Sequence, residues 1–210
     1  MTEPKKIYED ERVLVIDKPS GMNSDAFPKR VHRLDKDTSG ALLIAKDDES
    51  LEFLQKQFKN RKVKKKYTAL IVGHLKDDEG EIKTLLGRAP KDRRRQKAYL
   101  AGSPDASGKR EAITRYKVLQ KFKNYDLIEV EPKTGRKHQI RAHFTYLNHP
   151  LAGDKLYGFK NQPTPKGLTR QFLHAGYLKI TLLNGETKEF TSPLAEDLQK
   201  ALNNLEEQHD

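Results

Sequence analysis

Cysteine is absent from all 210 residues, which excludes disulfides, thiolate zinc sites and a cysteine nucleophile together. Long apolar runs are missing as well. The longest early one, Val13-Leu14-Val15-Ile16, falls far short of the ~20 residues a membrane helix needs and is too short for a signal-peptide core. A cytoplasmic protein without membrane association is therefore expected. Acidic residues are in deficit: 30 Asp+Glu stand against 41 Lys+Arg, a formal net charge of +11 at pH 7. That excess on a small chain favours a polyanionic partner, because each phosphate neutralised releases condensed counterions. Hydrophobic residues make up only 35%, yet they fall in ordered runs, so the chain folds, and its length suits one domain spanning 1–210.

Residues 12–16 and 41–45 read as short buried strands, separated by the turn cluster Lys18-Pro19-Ser20-Gly21 and a polar loop. Asp47 or Asp48 can cap a helix whose Leu51, Leu54 and Phe58 share one face. Residues 64–72 pass from a cationic start into a continuous apolar run, as a strand entering a sheet does. Asp77 to Gly80 is a turn. Residues 88–110 lack periodicity and carry Lys91, Arg93, Arg94, Arg95 and Lys97, which predicts a mobile basic loop or hairpin. Strands follow at 113–119 and 125–130. The turn Lys133-Thr134-Gly135-Arg136 leads to a helix over 138–147 with Ile140, Phe144 and Leu147 as its core stripe. Asn184-Gly185 marks a hairpin between strands at 177–183 and 186–191, and Ser192-Pro193 opens a last helix. Strands dominate without regular βαβ alternation, so the expected class is α+β, a mixed, largely antiparallel sheet with flanking helices.

The loop between the first two strands reads His32-Arg33-Leu34-Asp35-Lys36-Asp37-Thr38-Ser39-Gly40. Hydroxyls and a glycine following Arg-x-Asp can hold a carboxylate and set its direction, although an Asx or Ser/Thr turn would account for the same residues. Further segments change the balance. Residues 10–22, 32–40, Lys65-Lys66-Tyr67 and 134–143, then 149–158, Leu173-His174-Ala175 and Ser192-Pro193-Leu194, resemble in order, spacing and identity the motifs of the RluA family of RNA pseudouridine synthases. The resemblance runs from about residue 7 to 198.

The resemblance implies an isomerase that breaks the N-glycosidic bond of a uridine in structured RNA, ribosomal or transfer, rotates the base and rejoins it through carbon five. It implies no metal or cofactor. Asp35 would be the nucleophile, and a carboxylate needs no activation to be ionised at neutral pH. Arg141 would pair with the catalytic carboxylate, and Tyr67 would stack on the target base and assist proton transfer. Ile140 would close the pocket beside the uracil, and Arg33 would help hold the target out of the helix. His32, Lys66, Arg136 and Gln139 are carried over as substrate contacts. The lysines and arginines of 61–66 and 91–97 would form a phosphate track.

Between Gly21 and His32 the chain is shorter than in many relatives, which is expected to alter RNA docking, and no separate RNA-binding domain is expected before Ile7. A monomer is the simplest expectation. Two rival readings exist. Asp35-Lys36-Asp37-Thr38 has the Asp-x-Asp-x-Thr form of haloacid-dehalogenase-type phosphatases, but that motif needs a buried parallel strand directly before it, and Val31-His32-Arg33-Leu34 does not read as one. A basic RNA-binding or ribosome-assembly factor without catalysis would share the composition.

Overall fold

The computed structural model describes residues 3–206. Its strands and helices are, in chain order, β1 (Lys5–Glu9), β2 (Val13–Lys18), β3 (Ser39–Ala45), α1 (Asp48–Lys59), β4 (Lys64–Val72), β5 (Glu79–Arg88), β6 (Gln96–Tyr99), β7 (Arg110–Phe122), β8 (Tyr125–Pro132), α2 (Gln139–Tyr146), β9 (Leu173–Thr181), β10 (Thr187–Thr191) and α3 (Glu196–Asn203). Antiparallel pairing prevails, and β3–β9 is a parallel contact, so the mixed α+β class holds. The chain divides into two compact units, 1–67 with 173–196 and 68–172 with 197–210.

In the first unit β2 runs antiparallel to both β1 and β3, and β9 pairs with β3 at one end and with β10 along its length. All seven residues of β3 are buried, because both faces of the β2–β3 pair are covered. Val13, Val15, Leu43 and Ala45 pack with Leu54 of α1 and with Leu178, Ile180 and Phe190. The alternate residues Ile16, Leu42 and Ile44 pack with Leu34 and Tyr67 on the other face. Two-sided burial is why this strand reads as an uninterrupted apolar run rather than an alternation. Asp47 caps α1 as expected, accepting from the Ser50 N–H at 2.8 Å.

The second unit carries the antiparallel run β8–β7–β5–β6, with α2 packed on it through Ala142 among Leu86, Ala98 and Ala112. Strand β5 escapes the sequence reading, which placed only a turn at its start. Its signal is a quiet alternation in which Ile82, Thr84 and Leu86 are buried while Glu81 and Lys83 are exposed. Of the two expectations for residues 88–110, the hairpin is the one observed. Helix α2 is not amphipathic: residues 139–144 are all buried. Helix α3 starts three residues beyond Pro193, because Ser192 is held extended by two bonds, its carbonyl accepting from His174 and its hydroxyl donating to Asp17.

Candidate active site

Asp35 is half-buried on the loop that leads into β3, and its neighbours fix that loop from several directions. The hydroxyl of Ser24, fully buried, accepts from the Leu34 N–H at 3.0 Å and donates to the Leu34 carbonyl at 2.9 Å. The Lys18 ammonium, also fully buried, donates to the carbonyls of Lys36 (3.0 Å), Met22 (2.8 Å) and Pro19 (2.9 Å). The Gly21 N–H reaches the same Lys36 carbonyl, and the Thr38 N–H closes a turn on the Asp35 carbonyl. Further along, the Nε2–H of His174 donates to Ser192, which leaves Nδ1 to accept from the Ser39 hydroxyl at 2.9 Å. Gly40 has φ +118°, and a Cβ there would lie 2.3 Å from the Ala175 carbonyl oxygen; only glycine lets β3 approach β9 so closely. The segment before Asp35 is irregular rather than a buried parallel strand, which removes the structural basis of the phosphatase reading.

Tyr67 packs on Leu34, Leu42 and Ile44 in the same unit. Burial first, and the negative charge of Asp35 second, push its phenol pKa up. The ring is therefore protonated at neutral pH, able to stack or to donate. Arg33 is exposed on the loop. The His32 ring stacks on Phe58 with centroids 4.8 Å apart, and its Nε2 accepts from the Leu43 N–H. Burial, aided by Lys65, lowers the His32 pKa to about 3 and keeps the ring neutral. Burial also lowers the pKa of Lys65, to about 8. The Lys66 ammonium lies 5.9 Å from the Tyr177 ring centre.

In the second unit Arg141 is 7% exposed. Its Nε and Nη2 donate to the two carboxylate oxygens of Asp154 at 2.7 and 2.8 Å. Asp154 also accepts from the Leu156 and Tyr157 N–H groups, and the guanidinium lies 4.9 Å from the Tyr157 ring centre. The plane of Arg141 is thus fixed by a bidentate pair and a ring face. Tyr157 touches more: its hydroxyl accepts from the Gln96 N–H at 2.6 Å and is bonded to His138 Nδ1, while Arg95 covers its ring at 5.0 Å. Ile140 is buried beside Arg141 on α2.

Gln139, expected at the substrate, spends its amide internally. Oε1 accepts from the Thr134 hydroxyl and the Arg136 N–H, and Nε2 donates to the Ile113 carbonyl and the Thr114 hydroxyl. All four hydrogen-bonding positions are used, so it clamps the 134–136 turn. The Nε of Arg136 donates to the Glu111 carbonyl. His143 is bonded through both ring nitrogens to Thr114 and Thr84, and burial lowers its pKa to about 4.

Asp35, Arg33, His32, Lys66 and Tyr67 thus share the first unit, with Asp35 and Tyr67 electrostatically coupled, while Ile140, Arg141, Gln139 and Arg136 are grouped on and before α2. Sequence reasoning missed Lys18, Ser24, Asp154 and Tyr157 as the groups that hold these side chains. Lys18, Asp154 and Tyr157 lie inside motif segments, whereas a serine in a short loop carries no signal of its own.

A family model described as RNA pseudouridylate synthase matches residues 23–146. An uncharacterized RNA pseudouridine synthase of Bacillus subtilis is 37% identical, over 94% of this chain and 71% of its own length. The ribosomal large subunit pseudouridine synthase C of Vibrio vulnificus is 34% identical, over 95% and 68%. For a Chloroflexus aurantiacus relative at 41% identity the shares are 86% and 54%, so the chain spans between about half and seven tenths of these relatives. The solved structure of human RNA pseudouridylate synthase domain containing 1 superposes with a TM-score of 0.83 at 27% identity, over 98% of this chain and 89% of that one.

Proposed function

The chain belongs to the RluA-type RNA pseudouridine synthases, an isomerase family, and from that premise we propose that it converts uridines of large-subunit ribosomal RNA to pseudouridine with Asp35 as nucleophile. The RNA class is supported by relatives named ribosomal large subunit pseudouridine synthases C and D; transfer RNA is the second candidate. In the reaction the bond from C1′ to N1 breaks, the base turns, and C1′ bonds to C5, which gives up its proton while N1 takes one. Asp35 supplies the carboxylate whether it adds to C1′ directly or to a glycal derived from it.

The observation that carries this reading is the placement of Asp35. Its loop is clamped on both sides by buried polar groups that serve its backbone, and a protonated tyrosine lies within reach of its charge. Positioning of this kind is what a nucleophile needs, since an error of about 1 Å costs on the order of a hundredfold in rate. Tyr67 stacks on or donates to the base. Arg141, its plane fixed by Asp154 and Tyr157, is the third catalytic residue proposed. Arg33, His32, Lys66, Ile140 and Arg136 form the substrate-binding set, and the protein works as a single domain and a monomer.

Asp35→Asn preserves size and hydrogen bonding but removes the nucleophile. Turnover of a ribosomal transcript modified by the wild type is expected to disappear, with RNA affinity changed by less than about threefold. Turnover within about tenfold of wild type would refute the assignment.

A further inference from the structure

The β5–β6 hairpin and the segment that follows it form an open cavity of about 470 Å³, lined among others by Arg88, Arg93, Tyr99, Asp105, Ser107 and Lys109. Three cations therefore face one carboxylate. Among the described residues neither Arg88 nor Arg93 has a carboxylate partner, whereas their neighbour Arg94 is paired with Asp92 at 2.8 Å. A chain with 30 acidic residues could have matched these charges internally, and here it does not.

The lysine is placed rather than merely nearby. A Cβ on Gly87 would lie 2.2 Å from Lys109 Cδ, so glycine at this strand position is what lets the lysine stem cross β5. Its ammonium then sits 5.3 Å from the Tyr99 ring centre, and the Lys97 ammonium sits 5.1 Å from the same centre. An anion beside the ring would be attracted by both ammonium groups. Tyr99 is itself 5% exposed, with its hydroxyl donating to the Arg88 carbonyl. The ring is thus a buried platform for cations, not an open face for a base.

We propose that this cavity is a phosphodiester site that grips the RNA backbone at a nucleotide other than the target uridine, through Arg88, Arg93 and Lys109. The proposal rests on the reading of the chain as acting on RNA. The chemistry favours backbone over a free nucleotide: the lining supplies charge and a hydroxyl, its aromatic ring, Tyr99, is only 5% exposed, and Arg88 and Arg93 are open to solvent. Such a site contributes affinity and register without reading sequence.

The test compares the full chain with its Arg88→Ala/Arg93→Ala/Lys109→Ala variant, and with a charge-matched control, Lys56→Ala/Lys76→Ala/Lys117→Ala, whose lysines are exposed elsewhere. Equilibrium binding of the substrate transcript is followed between about 50 and 200 mM salt, alongside kcat and KM. The cavity variant is expected to lower the slope of log K against log salt by about 2, to raise KM about tenfold or more, and to leave kcat at saturating RNA unchanged. An unchanged slope and KM, or an equal loss in the control, would overturn the proposal. So would binding of uridine monophosphate that matches RNA affinity and vanishes in the cavity variant, since that would make the site one for a free nucleotide. Because the slope is a binding measurement, the site stands or falls independently of Asp35: a cavity variant with a reduced slope supports it even if Asp35→Asn turns over.

Discussion

The segment from Lys18 to Gly40 and the hairpin from Arg88 to Arg110 are both rich in polar and charged residues, but they spend them oppositely. In the first, a fully buried lysine, a fully buried serine and a histidine–serine pair are consumed by the chain's own backbone and side chains. In the second, Arg88 and Arg93 are exposed and have no acidic partner among the described residues. Polar groups turned inward hold the backbone on both sides of one carboxylate; polar groups turned outward wait for a partner's charge. Both behaviours arise from the same residue types, and burial separates them.

The comparison breaks most visibly at Lys18. Lys18→Met leaves the carbonyls of Pro19, Met22 and Lys36 without their cationic donor, and hydrogen bonds to a charged group contribute about 1.5–3 kcal/mol each. A loss of about 3–5 kcal/mol in urea unfolding is expected, with turnover lower by about a hundredfold in whatever fraction remains folded. An unfolding midpoint equal to wild type would mean that the ammonium contributes nothing to the loop.

His143 tests inward-turned polarity through pH. Its imidazole, bonded to two threonines, is held neutral by burial, with its pKa lowered from 6.5 to about 4. Between those values the unfolded chain binds the proton and the folded chain does not. The stability is therefore fully present above pH 6.5 and declines as pH falls, by up to about 1.4 kcal/mol per pH unit. His32, lowered to about 3, adds a decline of the same sign. Denaturant midpoints measured from about pH 7 to 5 should fall, and His143→Gln should make the fall shallower. A flat profile in the wild type would contradict a neutral buried ring.

Ser24→Ala strips one N–H and one carbonyl of Leu34 of their partner, a cost of about 1–3 kcal/mol. Because Asp35 is the next residue, kcat should drop by about tenfold or more while KM stays near wild type. A change confined to KM would place Ser24 in RNA binding instead. The smallest effect is expected where the hairpin meets buried structure. Tyr157→Phe removes the acceptor of the Gln96 N–H and the partner of His138, at about 1 kcal/mol. Hydrogen exchange at the Gln96 amide should quicken, and a rate equal to wild type would show that the hairpin is held by other contacts.

The elements with strong local signals were legible. Asp47 announced α1, the apolar runs announced β3 and β4, and Asn184-Gly185 announced the β9–β10 hairpin, each through a residue whose chemistry acts within a few positions. Strand β5 was lost because its alternation is carried by one isoleucine, one threonine and one leucine among charged residues, and α3 was placed early because Ser192 is held by partners distant in sequence. In the site, Asp35, Tyr67 and Arg141 were named from motifs, whereas Gln139 proved to be a clamp on its own turn. Nothing in its amide distinguishes the two uses until neighbours are in place.

What the sequence alone determined is chemistry and sign: no thiol, an excess of cations, an aspartate followed by hydroxyls and glycine, and a set of motifs shared with one family. Those depend on residue identity and short spacing, which the chain carries before it folds. Tertiary structure decided which polar groups are spent and which remain. Lys18 and Arg88 are both cations at strand ends, yet only folding put three carbonyls around the first and an open cavity beside the second. The partners of a charge are set by contacts between residues far apart in the chain, and the cost of burying it makes that choice nearly absolute.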